Sequence, residues 1–255
     1  MLVAAAVTAG CGAQSQHSEG SNQVARPAPL GSQPPAAPVH RCTTAPVALG
    51  SRRVAYAAVV PRSAVARSGP GRGAVLGRLG HLDVNHVPTV LGVIAVRTNR
   101  HCDPGWYRVQ LALVPNGTTG WVAAHSVRVY RVTSRIVVTL SNRSLALYRS
   151  GTRVLRARIA IGTTRTPTPT GRFFVNERYV LTNPNGPFGV AALGISAHSN
   201  VLRDWAEGGP IALHGTNQPA LLGTAVSHGC IRLDNSVMRR LLALSPAGTP
   251  VLIRR

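Results

Sequence analysis

The sequence predicts a mostly β protein with one or two short helices. Short β-like runs follow one another from about residue 45 onward and are separated by glycine and proline, whereas a helical period occurs only near the C-terminus. The hydrophobic share of 44% is that of a chain able to bury a globular core, which excludes global disorder. Since 255 residues exceed the usual size of one domain, we expect two domains and some tail.

The N-terminus predicts an export signal followed by a tether. Residues 1–10 form an apolar run that is too short to span a bilayer and ends in small residues directly before Cys11. This pattern resembles a lipoprotein signal, in which Cys11 would carry the lipid. Ordinary secretion and a coincidental apolar start remain alternatives, because no basic residue precedes the run. Residues 11–44 are rich in Pro, Ala and Ser and predict an unfolded, proline-stiffened spacer.

The charge of the chain favours an anionic partner. Formal net charge is +21, from 28 basic residues, all of them arginine, against 7 acidic ones. We expect no nucleic acid, because the arginines are spread along the chain, aromatics are only 4% and no nucleic-acid motif occurs. Anionic cell-wall polymers or phospholipid headgroups would fit such a surface, and so would plain solvation.

The region from 45 to 131 predicts a small β-barrel. Its β-like runs are Val54 to Val60, Val90 to Val96, Trp106 to Val114 and Gly120 to Ala123. The segment from Gly105 to Val122 resembles the bacterial Src-homology-type barrels that accompany wall enzymes, which implies a wall-binding or spacer role. The alternative is that Trp106 and Trp121 are simply core aromatics.

The region from 134 to 255 predicts a second, mostly β domain. Its β-like runs are Arg135 to Leu140, Leu145 to Tyr148, Val154 to Ile161, Arg172 to Val175, Ile211 to Leu213, Ile231 to Leu233 and Val251 to Ile253. One helix is predicted from a cap at Asn235 to Leu244, with Val237, Leu241 and Leu242 on one face.

The four cysteines separate by position. Cys11 belongs to the signal, and an exported chain can oxidise Cys42 with Cys102. That pairing would leave Cys230 as the one unpartnered thiol. Cys230 is therefore the candidate nucleophile.

The segment from His214 to Cys230 supplies what a cysteine nucleophile requires, a nearby base and donors for an oxyanion. His214 ends one apolar run, and the Ser-His-Gly segment before Cys230 enters the next. Gly229 keeps the backbone beside the thiol unencumbered, so the amides of His228, Gly229 and Cys230 could hold an oxyanion. The base must be His214 or His228, because no histidine follows Cys230.

Other chemistries are less well supported by the residues. Papain-like and wall-hydrolysing cysteine peptidases carry their histidine after the cysteine, the reverse of the order seen here. Residues 134–255 contain only four carboxylates without paired spacing, which argues against a glycosidase or a two-metal site. Zinc bound by His214, His228 and Cys230 is a minor alternative, and we expect neither metal nor cofactor.

Residues 134–255 resemble the catalytic domain of the L,D-transpeptidases, the YkuD-type family. The matching segments are Thr168-Pro-Thr-Gly171 with Arg172 and Phe173, Asn183-Pro184, Ile211-Ala-Leu-His-Gly-Thr216, Leu222-Gly223, Ser227-His-Gly-Cys-Ile-Arg-Leu233 and Gly248-Thr-Pro-Val-Leu-Ile253. The resemblance covers the whole C-terminal half in the right order and implies a β-sandwich.

The resemblance also implies a mechanism. Cys230 would attack the carbonyl of the third, diamino acid residue of a peptidoglycan tetrapeptide, and the side-chain amine of a second stem would take the thioester, with His214 moving protons. Pocket roles would fall to Ser227, His228, Gly229, Arg232, Gly215 and Thr216. Arg232 would meet a substrate carboxylate or pair with Asp234. Asn183 and Gly186 would lie in a loop over the donor site.

The expected location is the cell envelope, outside the cytoplasm, with a lipid anchor in the membrane. Two alternatives keep the fold and change the acceptor: water would make an L,D-carboxypeptidase, and a protein amine would make a wall-anchoring enzyme. A third alternative is a non-catalytic wall-binding lipoprotein.

Overall fold

The computed structural model describes residues 44–202, 204 and 209–255. Its first sheet has eight strands and is antiparallel throughout. The strands are β1 Val47–Ala48, β2 Ala55–Val59, β3 Ser63–Arg67, β4 Val75–Gly80, β5 Val90–Thr98, β6 Pro104–Gln110, β7 Thr119–Ala123 and β8 Arg128–Val132. Their order is β4-β3-β7-β6-β5-β2-β8, and β1 also pairs with β5.

The remaining strands form a second, eight-stranded sheet and a two-stranded one. They are β9 Ser134–Thr139, β10 Ser144–Arg149, β11 Thr152–Arg158, β12 Ile161–Gly162, β13 Gly171–Val180, β14 Ala191–His198, β15 Pro210–His214, β16 Ala225–Ser227, β17 Ile231–Arg232 and β18 Pro250–Arg254. The second sheet runs β11-β10-β9-β18-β13-β14-β15-β17, and β12 pairs with β16 in parallel. Helix α1, Asn235–Leu244, packs against β14.

The prediction of a mostly β protein with one or two short helices is confirmed, since α1 is the one α-helix of the described residues. None of the helices in this part of the chain is long and apolar enough to cross a membrane. In the first sheet Trp121 is buried and Trp106 is half-buried, so Trp121 behaves as a core aromatic. The Src-homology-like barrel and the domain boundaries stay predictions.

The predicted cap of α1 was one residue off. The N-cap is Asp234, whose carboxylate accepts a hydrogen bond from the Ser236 amide at 2.8 Å. These hydrogen bonds from Ser236 lower the pKa of Asp234. Leu241 and Met238 of α1 are fully buried, and Val237 and Leu242 pack partly buried against the same core, so the predicted face is the one that faces the core, with Met238 added to it.

Direct contacts join the two eight-stranded sheets. Phe174 of β13 is buried in a cluster with residues of β2, β5 and β8. A Cβ added to Gly92 on β5 would approach the Phe174 ring to 3.1 Å, so the missing side chain makes room for that ring. Asn116 accepts from the His198 amide at 2.8 Å and donates to the His198 carbonyl at 2.7 Å, which fixes the end of β14.

Several predictions fall on residues outside the described part of the chain: the signal over 1–10, most of the tether, the lipidation of Cys11 and the pairing of Cys42. Cys102 is disulfide-bonded. Its predicted pairing with Cys42 stays a prediction.

Candidate active site

Two neighbouring parallel strands place Cys230 and His214 on one face of the second sheet. In the β15–β17 register Leu213 pairs with Ile231, and both are fully buried in the core. Because side chains alternate along strands, Ala212 and His214 of β15 lie on the opposite face, together with Cys230 and Arg232. We call this the site face. The Ala212 amide approaches Cys230 Sγ at 3.4 Å, so His214 lies two residues, about 6.6 Å, further along.

A tight turn from Ser227 to Cys230 presents the thiol. Ser227 Oγ donates to the Cys230 carbonyl at 2.6 Å and accepts from the Gly229 amide at 3.1 Å. Gly229 has φ of +119°, which favours glycine. Ser227 is 2% exposed, so its side chain stabilises the turn and does not line the surface of a pocket. Since the Gly229 amide is already bonded, it is not free to hold an oxyanion.

A threonine-rich loop forms hydrogen bonds with the backbone of this turn. Thr168 is buried, its hydroxyl donates to the Gly229 carbonyl at 2.8 Å, and it accepts from the Gly162 amide at 2.9 Å. The Thr166 hydroxyl donates to the Ser227 carbonyl at 3.0 Å. Thr168 occurs in the segment that carries the family resemblance, but its function in holding the nucleophile turn could not be read from the sequence.

His214 is held as a neutral imidazole of defined tautomer. The side chain is 3% exposed, and Nδ1 lies 2.6 Å from the Gly215 carbonyl oxygen. A carbonyl only accepts, so Nδ1 carries the proton and Nε2 keeps its lone pair. Burial lowers the pKa of His214 to about 4, against a smaller opposing effect of the Gly215 carbonyl. The Phe188 ring covers the imidazole edge-on, with centroids 4.9 Å apart.

Cys230 is protonated at rest. Burial raises the pKa of the thiol, while the Ala212 amide and the positive charge of Arg232 lower it. The same charge also lowers the pKa of His214. The pair at rest is therefore a neutral thiol and a neutral imidazole, so the thiol must give up its proton for the sulfur to attack.

Arg232 is not paired with Asp234. Its guanidinium donates to Gln218 at 3.4 Å, and the Asp234 carboxylate is occupied by the cap of α1. The buried Arg232 Nε has no hydrogen-bond partner among the described residues. Of the two predicted roles, the ion pair with Asp234 is wrong.

Asn235 is a site residue that the sequence did not reveal. Its Oδ1 accepts from the Val190 amide, which precedes β14, and from the Thr216 amide, which follows His214 by two residues, each at 3.2 Å. A Cβ on Gly189 or Gly215 would collide with the same oxygen. Asn235 therefore joins the start of α1 to both segments that flank the base, and an Asx residue beside a helix start had suggested only a cap.

The other predicted site residues lie near this centre. His228 is exposed, and Gly215 and Thr216 are buried directly after His214. Asn183 and Gly186 belong to the loop that carries Phe188, and Asn217 ties this loop down by donating to the Asn185 carbonyl at 3.1 Å. Within the described residues no three His, Cys, Asp or Glu side chains are grouped so that they could hold a metal ion.

The C-terminal half of the chain is similar to known proteins. Residues 133–253 match the family model of the YkuD type, described as the L,D-transpeptidase catalytic domain. The chain is 33% identical over 147 residues to YkuD of Bacillus subtilis (strain 168), whose assignment as an L,D-transpeptidase is provisional; the match covers 55% of this chain and 82% of that protein. It is 39% identical over 119 residues to YkuD of Bacillus licheniformis, equally provisional, covering 47% of this chain and 64% of that protein.

Solved structures of L,D-transpeptidases are also similar. One is a Cys-to-Ser mutant of the Enterococcus faecium enzyme, with 28% identity and a TM-score of 0.38, covering 47% of this chain and 49% of that one. Another is an enzyme from Mycobacterium tuberculosis H37Rv, with 16% identity and a TM-score of 0.43, covering 66% and 90%. On the family model and the Bacillus subtilis relative, the chain belongs to the YkuD family of L,D-transpeptidase catalytic domains.

Proposed function

We propose that this protein is a peptidoglycan L,D-transpeptidase that links third-position residues of wall stem peptides through a Cys230 thioester. One observation carries the proposal. A buried, neutral His214 with its Nε2 lone pair available lies on the same sheet face as a half-buried, free Cys230. This is the pair that acyl transfer by a cysteine requires.

The first half-reaction forms the thioester. His214 Nε2 takes the thiol proton while the sulfur attacks the carbonyl carbon of the donor's third residue. The bond to the terminal D-alanine then breaks, and the imidazolium returns the proton to the leaving amine. The low pKa of His214 favours that return, because the buried site destabilises the imidazolium. Of the three candidate amides we assign the oxyanion to those of Cys230 or His228, since the Gly229 amide already donates to Ser227.

The second half-reaction consumes the thioester. The side-chain amine of a second stem attacks the same carbonyl carbon, His214 takes a proton from that amine, and the carbon–sulfur bond breaks. The sulfur recovers its proton from the imidazolium, which restores the resting pair. Water or a protein amine in the place of the second stem would give the carboxypeptidase or the anchoring reaction.

The extracytoplasmic location is part of the proposal. The disulfide at Cys102 favours an oxidising compartment, where such bonds persist. An apolar run ending at Cys11 suits export and lipid anchoring. The mass of the mature N-terminal peptide tests the anchor: a lipid on Cys11 supports it, and a mature chain beginning at any other residue overturns it.

Mass spectrometry of the intact protein tests the reaction itself. With a purified wall tetrapeptide we expect Cys230 to gain the donor minus its D-alanine, and an added tripeptide stem with a free side-chain amine to remove the adduct as a cross-linked product. Cys230→Ala should form no adduct while unfolding at a similar temperature. A Cys230→Ala protein that still releases D-alanine, or a thioester that only water resolves, would contradict the proposal.

A further inference from the structure

One row of residues leads across the site face from the thiol to a carboxylate. Ala212, whose amide approaches Cys230 Sγ, pairs with Gly194 on β14, and Gly194 pairs with Glu177 on β13. A Cβ added to Gly194 would lie 3.0 Å from Glu177 Cβ and 3.1 Å from Oε2, so the carboxylate leans over the glycine towards the thiol. The side chains on the sheet surface between Cys230 and Glu177 are thus only the methyl group of Ala212 and the hydrogen of Gly194.

Among the described residues, the Glu177 carboxylate has three hydrogen-bond donors and no cationic partner. Oε1 accepts from Asn85 at 3.2 Å and from Asn176 at 3.1 Å, and Oε2 accepts from the Tyr179 hydroxyl at 2.8 Å. All three donors are neutral, in a chain that carries 28 arginines against 7 acidic residues. The structure therefore orients this negative charge without neutralising it.

Glu177 also lies on the wall of a cavity with a volume of about 700 Å³. The cavity opens between the two large sheets. Leu82, Val84 and Val114 come from the first-sheet side, and Ile195 and Pro210 from the second. Neither Cys230 nor His214 is among its lining residues, so the cavity adjoins the site through Glu177 and does not contain the thiol.

The spacing along the row matches the reach of a long side-chain amine. The thiol lies against Ala212 of β15 and the carboxylate over Gly194 of the neighbouring β14, so the two groups are about one to two strand separations, roughly 5–10 Å, apart. In a stem peptide, the side-chain amine of lysine or diaminopimelic acid is six bonds from the carbonyl carbon that the thiol attacks, which is about 7.5 Å when extended. With a hydrogen bond of about 2.8 Å, an extended or partly folded side chain of this length brings its amine to the carboxylate.

We propose that Glu177 determines donor specificity by binding the side-chain ammonium of the donor's third residue while Cys230 attacks the carbonyl of that residue. The inference rests on the proposed function and adds the group that reads the donor. The acceptor amine is a different group, because it must reach the thioester carbon itself and is too far from Glu177 to be held by it. Asn85 of the first-sheet side would contribute by orienting the carboxylate.

The test compares two tetrapeptide donors, one with a free side-chain amine and one in which that amine is acetylated. Thioester formation and D-alanine release are measured without an acceptor. We expect the native protein to prefer the free-amine donor roughly tenfold in kcat/KM, and Glu177→Gln to reduce the preference to about twofold through a higher KM for that donor alone. Glu177→Asp keeps the charge and should retain part of the preference. Asp103→Asn, which removes a carboxylate that does not line the cavity, should leave the preference unchanged.

The outcomes separate the inference from the proposed function. Equal acylation of native Cys230 by both donors would overturn the assignment of Glu177 and leave the transpeptidase proposal standing. So would an equal loss on both donors in Glu177→Gln, because that result means Glu177 only joins the two sheets. A native protein that forms no thioester with either donor would overturn the proposed function itself. Alkylation of Cys230 by iodoacetamide at the native rate establishes that each variant keeps its thiol accessible.

Discussion

The two large sheets differ in what they bury. The first sheet closes over small aliphatic residues, and Thr89 is the one buried polar residue before position 134 in the described chain. The other nine buried polar residues lie between Ser134 and Thr249, with His214, Thr216 and Ser227 among them. Burying polar groups costs stability unless each finds a hydrogen bond. The second sheet supplies such bonds around Cys230, whereas the first depends on apolar burial.

Replacing His214 should reduce the activity more than any of the substitutions that follow. His214→Gln keeps a polar side chain of similar size but has no group that accepts the thiol proton, so we expect kcat/KM for D-alanine release to fall by about 10²–10⁴-fold. The matched control is His81→Gln, since His81 Nδ1 also lies 3.1 Å from a backbone carbonyl, that of Val60 in the first-sheet region. His81→Gln should keep the native rate; a comparable loss there would remove the distinction between the two sheets.

Asn235 should have the next largest effect. Asn235→Ala leaves the Val190 and Thr216 amides without their acceptor, and a shift of the base by about 1 Å can cost roughly 100-fold in rate. We expect kcat to fall by about 10–100-fold. Asn235→Asp retains an oxygen at the same place and should recover most of the rate. If Asn235→Asp is as slow as Asn235→Ala, the oxygen is not what positions the base.

A pair of buried threonines compares the sheets directly. Thr168→Val leaves the Gly229 carbonyl and the Gly162 amide unpaired, so the free energy of unfolding should fall by about 1–3 kcal/mol in chemical denaturation. Thr89→Val should change it by less than about 0.5 kcal/mol or raise it, because the Thr89 hydroxyl has no hydrogen-bond partner among the described residues. Equal losses in both variants would show that the hydroxyl of Thr168 carries no special role.

The sequence predicted what depends on local pattern and chain order. The runs that became β9, β10 and β15 alternate or are apolar throughout. The order of histidine before cysteine limited the base to His214 or His228, and the family resemblance implied His214. β14 was missed, because its residues Ala191–His198 are mostly small and include a glycine, which weakens both the period and the β-propensity.

The rest of the site depends on contacts between residues far apart in the chain. The row from Glu177 to Cys230 exists only through the registers of β13, β14, β15 and β17, which no local pattern specifies. The prediction of Asn235 as the helix cap, in place of Asp234, was wrong because contacts with distant residues decide between the two. Both residue types favour that position, and the distant Val190 and Thr216 amides decide which of them is used elsewhere.

Phe188 should produce the smallest change, and a change visible only in acid. The ring is 54% exposed and shields the imidazole of His214, whose pKa burial lowers to about 4. Phe188→Ala admits water to the imidazole, so its pKa should rise towards the ordinary value of about 6.5. Since only neutral His214 accepts the thiol proton, kcat/KM of the native protein should persist down to about pH 4 and that of the variant should fall at higher pH, with little difference at pH 7. Val180→Ala, at a site 79% exposed, is the control.

The same pKa shift also affects stability. Between pH 6.5 and 4 the imidazole of His214 binds a proton in the unfolded chain but stays neutral in the folded protein, so the free energy of unfolding decreases as the pH is lowered through that window. Phe188→Ala should lose less of this free energy than the native protein. If kcat/KM of Phe188→Ala also persists down to about pH 4, the sheet keeps His214 neutral without the Phe188 ring.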